Sequence, residues 1–134
     1  MVYLDTNILI HAAVEQAIDK KVRSIALLEE CITQNQLLIS LLVLQEYVFT
    51  LAKLKVDAGI IEKDVRFYSE FAHPVSKQVF LDSDTLCASI NFYRHINDAI
   101  HLMFAQQHCD KLITFDADFQ KLQPHTSMEI EILK

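Results

Sequence analysis

Residues Val2–Ile10 read Val, Tyr, Leu, Asp, Thr, Asn, Ile, Leu, Ile, a polar triplet set directly between two apolar segments. A short apolar run that ends in polar residues and leads into helix-forming sequence predicts a buried strand whose C-terminal end presents Asp5, Thr6 and Asn7. In open α/β sheets that edge is where ligands bind. The pattern recurs twice: Leu37, Leu38 and Ile39 run into Ser40, and Leu112 and Ile113 run into Thr114, Phe115 and Asp116. Strands separated by helical segments build a parallel sheet. The expected fold is therefore a three-layer α/β/α domain with a central, mostly parallel sheet of four or five strands, occupying 1–134 as a single unit.

The intervening segments carry helical spacing. Ile18, Val22, Ile25, Leu28 and Ile32 predict an amphipathic helix over about 17–34. Leu44, Tyr47, Val48, Leu51 and Leu54 mark another from Leu41 to Lys55, with Ser40 as its N-cap. A third is expected over about 60–72, after Gly59 and ended by Pro74. Asp82 or Ser83 is expected to cap a helix running to about His95, with 75–81 left ambiguous. Asn97 is the expected cap of the next, from Asp98 to about His108, with Ala99, Ile100, Met103 and Phe104 facing inward. The alternation Met128, Glu129, Ile130, Glu131, Ile132 predicts an edge strand.

Composition narrows the setting. No apolar run approaches the roughly 20 residues of a membrane-spanning helix, so a cytoplasmic location is expected and a membrane partner is not. Cys31, Cys87 and Cys109 are odd in number and lack metal-ligand spacing, and they read as small core residues in a reducing compartment. The net charge of −6 argues against nucleic acid as a partner. That argument weakens where acids share bound cations, because the charge of the ions belongs in the sum. Lys20, Lys21 and Arg23 form the one tight basic group and read as a solvated helix face.

The topology places the acids. Asp5 and Asp116 each follow an apolar strand, so both lie at the C-terminal edge of a parallel sheet. Asp98 opens a crossover helix, which runs antiparallel to the strands and starts at that same edge. Glu46 lies about two turns into its helix, roughly 9 Å deep at 1.5 Å per residue, but helical side chains lean back toward the N-terminus. Four carboxylates from four parts of the chain thus converge on one rim. Each also has a structural reading: Asp5 as a helix cap, Asp98 as the complement of a helix N-terminus, Asp116 and Asp118 as turn residues. Glu46 is harder to explain structurally, because it interrupts an apolar stretch and sits too far from Ser40 for a capping box.

Carboxylates held close together disfavour one another's ionised form unless cations enter. Ligands that are all oxygen favour Mg²⁺ or Mn²⁺. Such a centre suits attack of an activated water on a phosphodiester. In this reading Asp5, Asp98 and Asp116 hold the metal, Glu46 acts with them, and Thr6, Asn7 and Thr114 fix the carboxylates by hydrogen bonds. His101, one turn after Asp98, reads as a structural or supporting group rather than a ligand.

These residues resemble a known family. Leu4, Asp5, Thr6, Asn7; Ser40 with Glu46; Asn97, Asp98, Ala99, Ile100, His101; and the run Leu112 to Phe119 are similar, in order and spacing, to a PIN domain, most of all to the VapC-type toxins of VapBC toxin–antitoxin pairs. The resemblance implies a Mg²⁺- or Mn²⁺-dependent single-strand endoribonuclease. It further implies a homodimer and inhibition by a small antitoxin whose basic tail occupies the acidic site. Family acids carry over onto Asp5, Glu46, Asp98 and Asp116, and Asp118 matches a position acidic in many members.

Two other classes compete. One is a non-catalytic module of the same fold whose acidic rim binds a basic peptide or RNA, which a full set of four acids disfavours. The other is a phosphate-transfer domain with an Asp nucleophile. It is disfavoured because Asn7, not a second acid, stands two residues after Asp5, and no lysine follows a late strand.

Overall fold

The computed structural model describes residues 1–134. The chain forms β1 (Val2–Leu4), α1 (Thr6–Ala13), α2 (Ile18–Thr33), β2 (Leu37–Ser40), α3 (Leu41–Lys53), α4 (Ala58–Ser69), β3 (Ala72–His73), α5 (Lys77–Ile90), α6 (Ile96–His108), β4 (Lys111–Thr114) and β5 (Glu129–Ile132). The five strands make one sheet in the order β3-β2-β1-β4-β5, and every pair is parallel. From β1 the chain steps outward through β2 to β3, then returns across the centre to β4 and β5. Right-handed crossovers in opposite directions put the intervening helices on opposite faces. The strand order reverses between β1 and β4, where Tyr3 pairs with Leu112 and Leu4 with Ile113. No helix is long and apolar enough to cross a membrane.

The two inner strands next to β1 bury nearly every side chain, which is why they read as unbroken apolar runs. The edge strand β5 behaves differently. Its Glu129 and Glu131 carboxylates receive Lys111 Nζ at 3.7 and 3.0 Å, and this charge blunts further strand addition.

With one glycine in the chain, helix ends are built from other residues. Asn35, Lys55 and Asn91 take left-handed backbone, with φ of 54°, 62° and 55°. After α3, the Lys55 and Val56 amides donate to the Ala52 and Leu51 carbonyls, closing the helix as a Schellman turn.

Several sequence expectations are corrected. In α2 the residues turned inward are Ser24, Leu28 and Cys31, while Ile18 and Val22 are 72% and 64% exposed. The small Ser24 and Cys31 side chains let the helix seat closely, and of the predicted stripe Leu28 and Ile32 stay against the core while Ile18, Val22 and Ile25 face outward. In α3, Val48 and Leu54 also remain exposed. Helix α4 is capped by Asp57 and ends at Ser69, before Pro74. The chain leaves it because the Phe71 carbonyl accepts from Ile39 N–H and draws Ala72–His73 onto the sheet edge. Helix α5 is capped by Ser76, whose Oγ accepts from Val79 N–H, and it ends at Asn91. Ser83 lies inside it, its hydroxyl donating to the Val79 carbonyl at 2.7 Å. Asn97 does not cap α6, because its side chain is committed to Glu46.

Candidate active site

The C-terminal ends of β1 and β4 frame a cavity of about 230 Å³, lined by Asp5, Thr6, Asn7, Ile10, Glu46, Thr50, Asp98, His101 and Asp116. Asp5 leaves β1 still paired to β4, its N–H donating to the Ile113 carbonyl at 3.0 Å. It then caps α1, with Oδ1 accepting from Thr6 N–H at 2.7 Å. Its other oxygen accepts from the Thr114 hydroxyl at 2.7 Å and from Asn7 Nδ2 at 3.3 Å. Cap and site residue are thus one and the same side chain.

Thr114 and Asn7 tie the two strand ends together. Asn7 Nδ2 donates to Thr114 Oγ1 at 3.1 Å, and Asn7 Oδ1 accepts from Phe115 N–H at 3.2 Å. The Thr114 hydroxyl also accepts from Asp116 N–H at 3.0 Å. Asp116 then caps a short 3-10 helix, Ala117–Lys121, by accepting from Asp118 N–H.

Glu46 reaches back from α3 as helical side chains do. Its Oε1 accepts from the Thr6 hydroxyl at 2.6 Å and meets His101 Nε2 at 2.7 Å, and its Oε2 accepts from Asn97 Nδ2 at 3.0 Å. His101 is only 1% exposed. Its Nδ1 lies 2.6 Å from the Tyr3 hydroxyl, which is 3.0 Å from Ser40 Oγ. Nε2 also stands 3.7 Å from Asp5 Oδ1.

The electrostatics follow from burial and crowding. Burial pushes the Asp5 carboxyl up, and the His101 charge and the Thr114 hydrogen bond offset only part of this. Asp98 is pushed up to about 7, by burial first and then by the charges of Asp5, Asp116 and Glu46. Burial also opposes ionisation of Glu46, yet the hydrogen bond and charge of His101, with those of Thr6 and Asn97, bring it below its usual range. Burial works against the His101 cation, but Glu46 and the nearby Asp5 and Asp98 carboxylates outweigh it and raise its basicity.

Among the residues expected at the site, Asp5, Glu46, Asp98 and Asp116 all line the cavity, with Thr6 and Asn7. Thr114 is buried beneath it. Ser40 caps α3 and reaches the acids only through Tyr3 and His101. Asp118 is 44% exposed and lies outside the lining, its carboxylate 4.0 Å from His95 Nδ1 and 3.9 Å from Lys121 Nζ. The tightest group of potential ligand atoms is Asp5, Glu46 and His101, all within 4.8 Å of one another.

The sequence marked His101 as a structural or supporting group and did not single out Tyr3. The available signal for His101 was its place among Ala99, Ile100, Leu102 and Phe104, which makes it a polar residue on a buried helix face. A donor set of four carboxylates and one imidazole around a hollow, with Asp5 and Asp98 already destabilised in their charged forms, fits a divalent cation. A second hollow of about 370 Å³ shares Glu46 and Thr50 with the first and adds Gln45, Phe49 and Asn97.

Comparison with known proteins places this geometry in context. The sequence model of the PIN domain matches residues 2–123. A toxin–antitoxin complex from Klebsiella pneumoniae superposes with a TM-score of 0.67 at 24% identity, covering 92% of this chain and 93% of that one. The VapBC2 complex of Rickettsia felis, bound to a DNA fragment from its promoter, gives a TM-score of 0.67 at 20% identity over the whole of both chains. These likenesses establish the fold. No curated protein sequence matches.

Proposed function

Because the chain belongs to the PIN domain family, we propose that it is a divalent-metal-dependent endoribonuclease, the VapC-like toxin of a toxin–antitoxin pair. The observation that carries this reading is the convergence of Asp5, Glu46, Asp98 and Asp116 on one cavity where the strand order reverses.

A bound Mg²⁺ or Mn²⁺ supplies Lewis acidity toward the phosphoryl oxygens and makes water a nucleophile near neutral pH. Asp5, Asp98 and Asp116 would hold the ion, with Glu46 facing them. Thr114 and Asn7 keep the Asp5 carboxylate in one orientation, and Thr6 and Asn97 do the same for Glu46.

The two structures described above are toxin–antitoxin complexes, which supports pairing with a small antitoxin whose basic tail enters the cavity. Exposed Phe49, Phe67 and Phe80 supply apolar surface for a homodimer. We place this 1–134 unit in the cytoplasm.

The test is cleavage of single-stranded RNA by purified protein. Cleavage is expected with Mg²⁺ or Mn²⁺, is abolished by EDTA, and is lost in Asp98→Asn protein that keeps its circular dichroism spectrum. Undiminished cleavage by that variant would overturn the reading. Failure of calorimetry to detect metal binding at millimolar concentration would favour the non-catalytic module.

A further inference from the structure

We propose that His101 is a nitrogen ligand of the cation in this cavity and that it makes the centre prefer Mn²⁺ to Mg²⁺. The inference rests on reading the cavity as a metal-dependent nuclease centre and alters the donor set expected there.

Geometry carries it. His101 is all but completely buried, yet it lines the acidic cavity. Its Nε2 faces Glu46 Oε1 at 2.7 Å and Asp5 Oδ1 at 3.7 Å, and these three atoms lie within 4.8 Å of one another. Ligand bonds of about 2.0–2.2 Å put donors roughly 3–4 Å apart around one ion, so this group can close on a single cation.

The far side of the ring is supported as in metal-bound histidines. Such residues nearly always hydrogen-bond through the other ring nitrogen, which fixes the tautomer and the ring orientation. Here Nδ1 stands 2.6 Å from the Tyr3 hydroxyl, itself 3.0 Å from Ser40 Oγ. In the metal-free protein Nε2–H donates to Glu46 Oε1; with Nδ1–H donated to Tyr3 and the phenol O–H donated to Ser40, loss of that Nε2 proton to solvent as a cation enters would leave the Nε2 lone pair facing the carboxylates. Asp98 and His101 are also three residues apart on α6, a spacing that puts both on one helix face.

The chemical consequence is selectivity. Mg²⁺ binds oxygen and keeps its waters, whereas imidazole suits first-row transition ions.

Pulsed electron paramagnetic resonance of Mn²⁺ bound to the full chain tests this. Coupling to an imidazole ¹⁴N nucleus is expected in the wild-type protein and is expected to vanish in His101→Leu. Calorimetry should find Mn²⁺ bound roughly tenfold or more tighter than Mg²⁺, with that ratio reduced in the variant. The wild-type spectrum decides the matter even if the variant does not fold. Bound Mn²⁺ without nitrogen coupling overturns this proposal and leaves the nuclease reading standing, while absence of any Mn²⁺ binding overturns both.

Discussion

The Glu46 carboxylate and the His101 imidazole meet at 2.7 Å, joining α3 to α6 across the mouth of the central strand. Each sustains the charge of the other against burial. The acid stays ionised below its usual range and the base stays protonated above its own.

Replacing Glu46 by Gln breaks that reciprocity. The amide has one carbonyl oxygen for the three donors Thr6, His101 and Asn97. Leaving a buried donor unpaired costs about 1–3 kcal/mol, so chemical denaturation should show a loss of that size. Metal affinity measured by calorimetry should fall about 10- to 100-fold.

Asp98→Asn should make the metal-free protein more stable, not less. The folded-state carboxyl titrates at about 7, above its unfolded value, so the folded protein holds the extra proton between those two values. The ionised form therefore penalises the folded state fully above pH 7, and the penalty fades as pH falls toward 4. Relief of it is worth at most about 4 kcal/mol. Denaturation in EDTA at pH 8 should show the gain, and at pH 4 the two proteins should coincide. The same titration predicts that wild-type metal affinity weakens as pH drops below 7.

Tyr3→Phe removes one hydroxyl and strands two partners, Ser40 Oγ and His101 Nδ1. All three groups are buried, so about 1–3 kcal/mol of stability should be lost. Metal affinity should fall about tenfold because His101 is no longer oriented. Unchanged affinity would mean that the phenol only fills space.

Lys55→Gly should stabilise the protein by about 1 kcal/mol. The residue closes α3 with φ 62°, a conformation costly for any side chain with a Cβ and free for glycine. The gain should appear in thermal denaturation with no change in metal binding.

The convergence of Asp5, Asp98 and Asp116 was readable in advance because strand ends and returning helix starts share an edge in any parallel sheet, and Glu46 joined them through the backward lean of helical side chains. Ser40 was readable for a similar reason, since its spacing to α3 left one place to cap. Strand β3 was not, because two residues carry no period. The cap of α5 was misplaced because Ser76, Asp82 and Ser83 are all good caps, and only packing selects among them. The contacts of His101 with Glu46 and Tyr3 were not readable, since helical spacing gives its face but not the identity of the side chain opposite. Tyr3 was hidden inside an apolar run, where its ring reads as core and its hydroxyl goes uncounted.

The central position of β1 has a consequence in time. Strand β1 finds its neighbour β4 only across a long stretch of chain, and Asp5 receives a hydrogen bond from Thr114, 109 residues downstream. Pairings of such long sequence separation form late and slowly. A nascent chain still missing Asp116 presents three acids with no wall to hold them. The cavity is therefore complete only once β4 and Asp116 have been made and paired with β1.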